Sequence, residues 1–329
     1  MGPKVRWRPQ GPGKKTPEVI KAIEEIMKYD TAGDPITGLK WTRRTTGKIS
    51  EELKKQGIQV GRETVARLLK SMNFSLRVNH KKISSASNSD RDEQFEHIAS
   101  LREEFASSGD PVVSVDSKKK EMIGRFKNRG RTWTREPVLV NDHDFRSMAK
   151  GMAIPYGVYD VRDNSAAVVV GVSYETPQFA VACVGKWWIY QGRTRYAKAR
   201  RLLILADNGG GNGATPHAWK YFLQSDVCNK FGVSVTVAHY PPGCSKWNPI
   251  EHRVFSQISE NWQGRPLDSY ETCLNYISTT KTSTGLTMKA YLDRKQYEKG
   301  IEISKEEMAL LSLEREETLP KWNYTLRPQ

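Results

Sequence analysis

A chain of 329 residues is long enough for one large domain or two ordinary ones, and a hydrophobic share of 37% can build a real core. Its 52 Lys and Arg against 37 Asp and Glu leave a formal charge of +15. That surplus suits a polyanionic partner, because cations seated on nucleic acid release condensed counterions, although plain solubility is the simpler reading. The opening MGPKVRWRPQGPGKK is basic but runs into Pro and Gly, and no segment reaches the roughly 18 apolar residues of a membrane span, so a cytoplasmic protein is expected. Cys183, Cys228, Cys244 and Cys273 form no Cys-x-x-Cys pair, which argues against a zinc site or a disulfide framework.

The charge is uneven: residues 1–90 carry 19 of the basic side chains and only 9 of the acidic ones. Residues 1–17 lack periodicity and read as a flexible basic arm that would either lie along a DNA groove or serve as a plain tail. PEVIKAIEEIMKY, from Pro17 to Tyr29, has the spacing of a short amphipathic helix, and DTAGDPITG after it reads as a loop. In TGKISEELKKQGIQVGRETVARLLKSMNF, Ile49 and Leu53, then Gly57, then Val65, Leu68, Leu69 and Met72 spell helix, turn, helix. Residues 18–76 are therefore expected to form a small all-α domain, either a helix-turn-helix or an ordinary helical hairpin. As a helix-turn-helix it would aim Arg62, Glu63 and Thr64 at base edges and Arg67 and Lys70 at phosphates.

Residues 77–92 read as a linker, and QFEHIASLREEFASSG as the helix that opens a larger domain over 93–283, with 284–329 as an extension packing on it. PVVSVD, IPYGVYDV, AAVVVGV, RLLILAD and VSVTVAH are strands interleaved with helices from TPQFAVACVGKWWIYQG onward. The order is that of an α/β fold of RNase H-like type, a mixed sheet flanked by helices.

Three acids fall at telling points of that order. Asp116 and Asp207 each end an apolar strand, and if those strands are parallel neighbours both carboxylates leave the same edge of the sheet. Glu251 sits in the first turn of a later helix, where Asn248, Pro249 and Glu251 also read as N-cap, first helical residue and capping-box partner. Each Asp alone would equally end a strand as a turn former. Carboxylates crowded together raise one another's pKa, so such a trio is usually kept ionised by a cation. All-oxygen ligation selects Mg²⁺ or Mn²⁺, and two such ions serve phosphoryl transfer.

The neighbouring residues extend this reading. Lys118, Lys119, Lys120, Arg125 and Lys127 form a basic insert that is either a solvated face or a grip on a DNA backbone. The loop from Asn208 to Gly213 is either a flexible connector or a turn admitting a phosphate beside Asp207. Asn208, Asn248, His239 and His252 are read as structural or supporting groups around the acids, and Trp187 and Trp188 as core.

The segments SVDSKKKEMIGRFKNRGRTW, AIPYGVYD, LLILADNGGGN and HYPPGCSKWNPIEHRVFSQISENWQGRPL resemble the Rhodopirellula-type DDE transposases, insertion-sequence enzymes distantly related to mariner elements. The similarity runs from about Arg6 to Tyr324. It implies an RNase H-like core, a DDE triad on Asp116, Asp207 and Glu251, two Mg²⁺ or Mn²⁺ ions, and cutting and joining at inverted repeats by a homo-oligomer on double-stranded DNA, hence a nucleoid-associated protein. The helix-turn-helix resembles the family's DNA-binding element. Two features depart from the family: a further N-terminal helix-turn-helix is expected but lacking, as in a truncated copy, and Asn208 stands where Gly is usual. The alternatives are a non-catalytic DNA-binding relative that occupies repeats, and an RNase H-like host nuclease.

Overall fold

The computed structural model describes residues 16–27, 31–33, 40–42, 45–74 and 90–329, and the chain divides into two units, residues 1–83 and 84–329. In the first, α1 (Thr16–Met27), α2 (Thr46–Lys55) and α3 (Arg62–Ser71) each repeat apolar residues at helical spacing. Ile23, Met27, Ile49, Leu53, Val60, Val65 and Leu68 meet in one small core. The Thr45 side chain caps α2 by accepting from Lys48 N–H at 3.2 Å, and Gly57, at φ 82°, ends the turn that α2 begins to unwind. The Ser50 hydroxyl donates to the Val60 carbonyl at 2.6 Å and ties the inter-helix turn back onto α2. β1 (Thr31–Gly33), inside the stretch expected to be a loop, pairs antiparallel with β2 (Lys40–Thr42) just beyond that stretch, strands too short to show a period in the sequence. Nearly all of the basic arm, and the linker up to residue 89, lie outside the described residues.

In the second unit, α4 (Arg91–Ser108) stops at Gly109, whose φ of 79° suits a residue without Cβ. β3 (Val112–Ser117), β4 (Glu121–Ile123), β5 (Gly151–Asp160) and β6 (Ser165–Gly171) follow. Next come α5 (Pro177–Trp187), a π turn over Trp188–Gly192, α6 (Arg193–Arg195) and β7 (Arg201–Ala206). α7 (His217–Leu223) runs into a second π turn, Gln224–Asn229, before β8 (Ser234–His239). A third π turn, Glu251–Phe255, leads into α8 (Ser256–Asn261), and α9 (Tyr270–Ser278), β9 (Thr287–Asp293), α10 (Lys305–Ala309), β10 (Leu313–Arg315) and β11 (Asn323–Leu326) close the chain.

The nine-stranded sheet runs β10-β11-β8-β7-β3-β5-β6-β9, with β4 added to β5. Its centre, β6-β5-β3-β7-β8, has β5 antiparallel to both neighbours and β3, β7 and β8 parallel, the strand order of an RNase H-like sheet. Residues alternate between two covered faces, which is why the strands read as unbroken apolar runs. On one face Val113, Val115, Leu202, Ile204, Val235 and Val237 pack with Phe179, Trp187, Trp188, Trp219 and Leu223, so Trp187 and Trp188 are core as expected. On the other, Val112, Leu203 and Leu205 meet Ile98, Leu101 and Phe105 of α4, while Ala166, Val168 and Val170 meet Ile250, Val254, Ile258 and Ile277.

Residues 284–329, expected as an extension packing on the larger domain, contribute strands to its sheet: β9 pairs parallel with β6 and β11 antiparallel with β8. Edge position explains why β9 was not legible: Thr287 and Lys289 are exposed and only Met288 and Asp293 are buried, so no apolar run marks it. Among the described residues no helix is long and apolar enough to cross a membrane.

Candidate active site

The two strand-end aspartates come together through register. β3 and β7 are parallel, Val115 is paired with Ala206, and Asp116 and Asp207 each stand one residue further on. By alternation Asp116 shares a face with Val112 and Ser114, and Asp207 with Leu203 and Leu205, so both leave the same edge on the same side. Asp116 is 7% exposed.

Glu251 reaches that edge by a route the sequence did not show. Asn248 does not act as a side-chain N-cap, because its amide is spent on β3: Nδ2 donates to the Val115 carbonyl at 3.0 Å and Oδ1 accepts from the Ser114 hydroxyl at 2.5 Å. The Ser114 oxygen in turn accepts the Ile250 N–H at 3.0 Å, serving the helix start from across the interface. The expected capping box is therefore replaced by a bolt between the sheet and the Glu251 segment, and Ser114 and Asn248 are both fully buried in it. Close approach depends on Gly157, the residue registered with Asp116. A Cβ there would lie 2.6 Å from Ile250 Cδ1 and 2.9 Å from the Phe255 ring. Glu251 itself opens the π turn, a local widening that occurs often at functional sites.

Electrostatics tie the acids to one another. Burial first, then the charges of Asp207 and Glu251, push the Asp116 carboxyl up to about 9 against the pull of the Ser117 N–H, which donates to its Oδ1 at 2.7 Å. Burial raises Asp207 as well, opposed by the Gly209 N–H and the Asn212 amide, each 3.2 Å from Oδ1, and reinforced by the charge of Glu175. Glu175 is a fourth acid that the sequence reading missed. It accepts from the Ser117 hydroxyl at 2.5 Å and pairs with Lys120 at 3.2 Å. Among the described residues no three His, Cys, Asp or Glu side chains stand in the arrangement of a ready-made ion site.

The Gly-rich loop is anchored in detail. Asn208 accepts the Ala214 N–H at 3.2 Å and closes the loop, and Asn212, which is 1% exposed, holds Asp207. A Cβ on Gly211 would meet the Thr176 backbone at 2.8 Å. His239 is fully buried, with Nδ1 3.1 Å from the Asp207 carbonyl and Nε2 3.4 Å from the Tyr324 hydroxyl. Burial brings it down to about 4, which leaves it a neutral brace beneath Asp207. His252 bonds the Lys246 carbonyl, holding the loop that precedes Glu251.

The basic residues separate into two kinds. Lys118 departs from both expectations, a solvated cation and a free grip on a DNA backbone, since it is buried, pairs with Glu121 at 3.0 Å and lies 4.5 Å from the Trp262 ring centre. Lys120 is engaged by Glu175. Lys119, Arg125 and Lys127 are exposed. A groove of about 1120 Å³ is lined by Lys118, Lys119, Lys120, Lys127 and Arg129 together with Glu251 and His252. In the first unit Arg62, Glu63, Arg67 and Lys70 are exposed on α3, and Thr64 is half-buried.

The sheet has the RNase H-like order, with Asp116 near the end of β3 and Asp207 just past the end of β7 at the same edge. This chain belongs to the family described as the Rhodopirellula transposase DDE domain, whose model matches residues 22–328. Similar solved structures include a Mos1 transposase paired-end complex with left transposon end, at 14% identity over 83% of this chain and 73% of that one, TM-score 0.38. A pre-cleavage Mos1 transpososome is 13% identical over the same shares, TM-score 0.42. The Mos1 strand transfer complex is 15% identical over 83% and 72%, TM-score 0.40. A comparison with curated protein sequences gives no match.

Proposed function

We propose that this chain is a transposase that cuts double-stranded DNA at the ends of a mobile element and joins the freed strand to target DNA. The observation that carries the reading is the convergence of Asp116, Asp207 and Glu251 at one sheet edge, the two aspartates through the β3–β7 register and Glu251 through the Ser114–Asn248 bolt. Family membership gives the class, and the groove beside Glu251 supplies exposed cations for a phosphate backbone.

The donor set suits Mg²⁺ or Mn²⁺. The three carboxylates offer only oxygen, the burial of Asp116 and Asp207 and the repulsion among the acids make a cation the natural complement, and among the described residues the buried Asn212 Oδ1 beside Asp207 has no partner. Asp116, Asp207 and Glu251 would hold two such ions, which when bound supply charge neutralisation and activation at a phosphodiester. The protein's own share is positional. Ser117, Gly209 and Asn212 orient the two aspartates, His239 fixes the Asp207 backbone, and Lys119 and Lys127 hold the strand near Glu251. The α2–α3 pair would add duplex contacts through Arg62, Glu63, Thr64, Arg67 and Lys70. A second copy would hold the other element end, and Trp133, Leu139 and Phe145, exposed between β4 and β5, are apolar surface suited to it.

The test is strand cleavage on a duplex carrying the repeats that flank the gene. Cleavage requires Mg²⁺ or Mn²⁺ and disappears in Asp116→Asn, Asp207→Asn and Glu251→Gln while duplex binding persists. Loss of binding along with cleavage would mean that these acids hold the fold instead.

A further inference from the structure

Beside the 208–214 loop lies a cavity of about 510 Å³, lined among others by Asn208, Ala214, His217, Lys220, Arg315 and Trp322. Such a volume admits a nucleotide-sized ligand. Three of its ten lining residues are Lys or Arg and none is Asp or Glu, and of the three Lys321 is already paired with Asp90 at 2.7 Å. Lys220 is different. It is 3% exposed, its ammonium donates to the Ala214 carbonyl and lies 5.2 Å from the Tyr324 ring centre, and among the described residues no carboxylate lies within ion-pair distance of it. Arg315 donates to the Pro320 carbonyl at 2.8 Å and likewise has no acidic partner among the described residues.

A buried ammonium is costly unless a counter-charge completes it. Burial, then the positive charge of Arg315, pulls Lys220 down to about 8, so the two cations face the cavity as a repelling pair. An anion between them would relieve both, and a phosphate has the oxygens to accept from an ammonium and a guanidinium together. Pro242, exposed, and Met308, half-buried, complete the wall with apolar surface fit for a sugar or base, while Trp322 lies buried behind them with the Lys321 ammonium 4.5 Å from its ring centre.

We propose that this cavity seats one nucleotide of a DNA strand, its phosphate held by Lys220 and Arg315 and its sugar or base laid against Pro242 and Met308. The seat is linked to the candidate active site. Lys220 holds the Ala214 carbonyl, the Ala214 N–H is held by Asn208, and Asn208 follows Asp207 directly. A strand seated there therefore bears on the loop that orients an acid of the reaction. The inference rests on the reading of the chain as an enzyme acting on DNA.

The full-length protein, without divalent ions, is titrated with deoxyadenosine monophosphate, with inorganic phosphate and with a short single-stranded oligonucleotide, reading tryptophan fluorescence and the unfolding midpoint. The monophosphate is expected to bind more tightly than inorganic phosphate and to be displaced by the oligonucleotide. Lys220→Met and Arg315→Gln should each weaken it about ten-fold, the loss of one charge-assisted contact, while the exposed control Lys281→Gln changes nothing. Arg315 is exposed, so its variant keeps the test decisive should Lys220→Met fail to fold. Equal affinity in Arg315→Gln and the control overturns the seat, and a monophosphate that the oligonucleotide does not displace overturns its assignment to a strand. A protein that cuts element ends but binds monophosphate without regard to Lys220 and Arg315 defeats this inference alone. Dependent binding in a protein that never cuts DNA defeats only the proposed function.

Discussion

Asp116→Asn should make the ion-free protein more stable, and the gain should grow with pH. The carboxyl lies above its ordinary value of 3.8, at about 9, chiefly through burial and then through the charge of Asp207. Between those two pH values the folded chain holds a proton that the unfolded chain has released, so wild-type stability falls as pH rises across the window. Each displaced unit is worth about 1.4 kcal/mol, and about three units separate the ordinary value from pH 7, which sets a ceiling of about 4 kcal/mol. Water entry and relaxation at a cleft reduce this, and about 2 kcal/mol is the figure expected, or about 4–8 °C in a unit of this size. The assay is thermal unfolding of wild type and variant from pH 5 to pH 9 in chelator, repeated with Mn²⁺. Their difference should widen with pH, and Mn²⁺ should raise the midpoint of wild type only. Using the difference also removes His239, whose lowered value works in the opposite sense by costing stability as pH falls from 6.5 toward 4. An ion-free variant less stable than wild type, or a gain flat with pH, would refute the reasoning.

Two further substitutions probe how the edge is assembled, and a third probes the groove. Gly157→Ala places a methyl against Ile250 and Phe255 and should cost about 1–3 kcal/mol in urea unfolding, with a larger loss of cleavage than of duplex binding because it lifts the Glu251 segment. Ser114→Ala leaves Asn248 Oδ1 without its donor and the Ile250 N–H without its acceptor, and a loss of about 1–3 kcal/mol is expected by the same measurement. Lys127→Gln, on the groove wall, should weaken duplex binding evenly across sequences and lower the salt-dependence slope by about 1 in a titration against KCl. A slope unchanged by that substitution would place the backbone elsewhere.

Much of this was legible in the primary structure because both faces of the central sheet are covered. PVVSVD and RLLILAD are apolar runs that stop at an aspartate, and parallel pairing of their strands does the rest. The supporting residues were harder to read. Ser114 and Asn248 lie 134 residues apart and look like a polar interruption and a helix cap until the fold joins them. A serine inside a buried strand was the one available signal, since a hydroxyl there needs a partner. Glu175 sits in a connection with no periodicity, and only its return to Ser117 and Asp207 gives it meaning. β9 stayed hidden because edge strands half-exposed to water carry charged residues and no apolar run.

If Asp116, Asp207 and Glu251 share bound ions, anomalous scattering from crystals grown with Mn²⁺ will locate those ions directly. Two manganese peaks in contact with these three carboxylates, both absent from crystals of Asp116→Asn, are predicted. Peaks elsewhere on the protein, or an edge without manganese at saturating concentration, would contradict it.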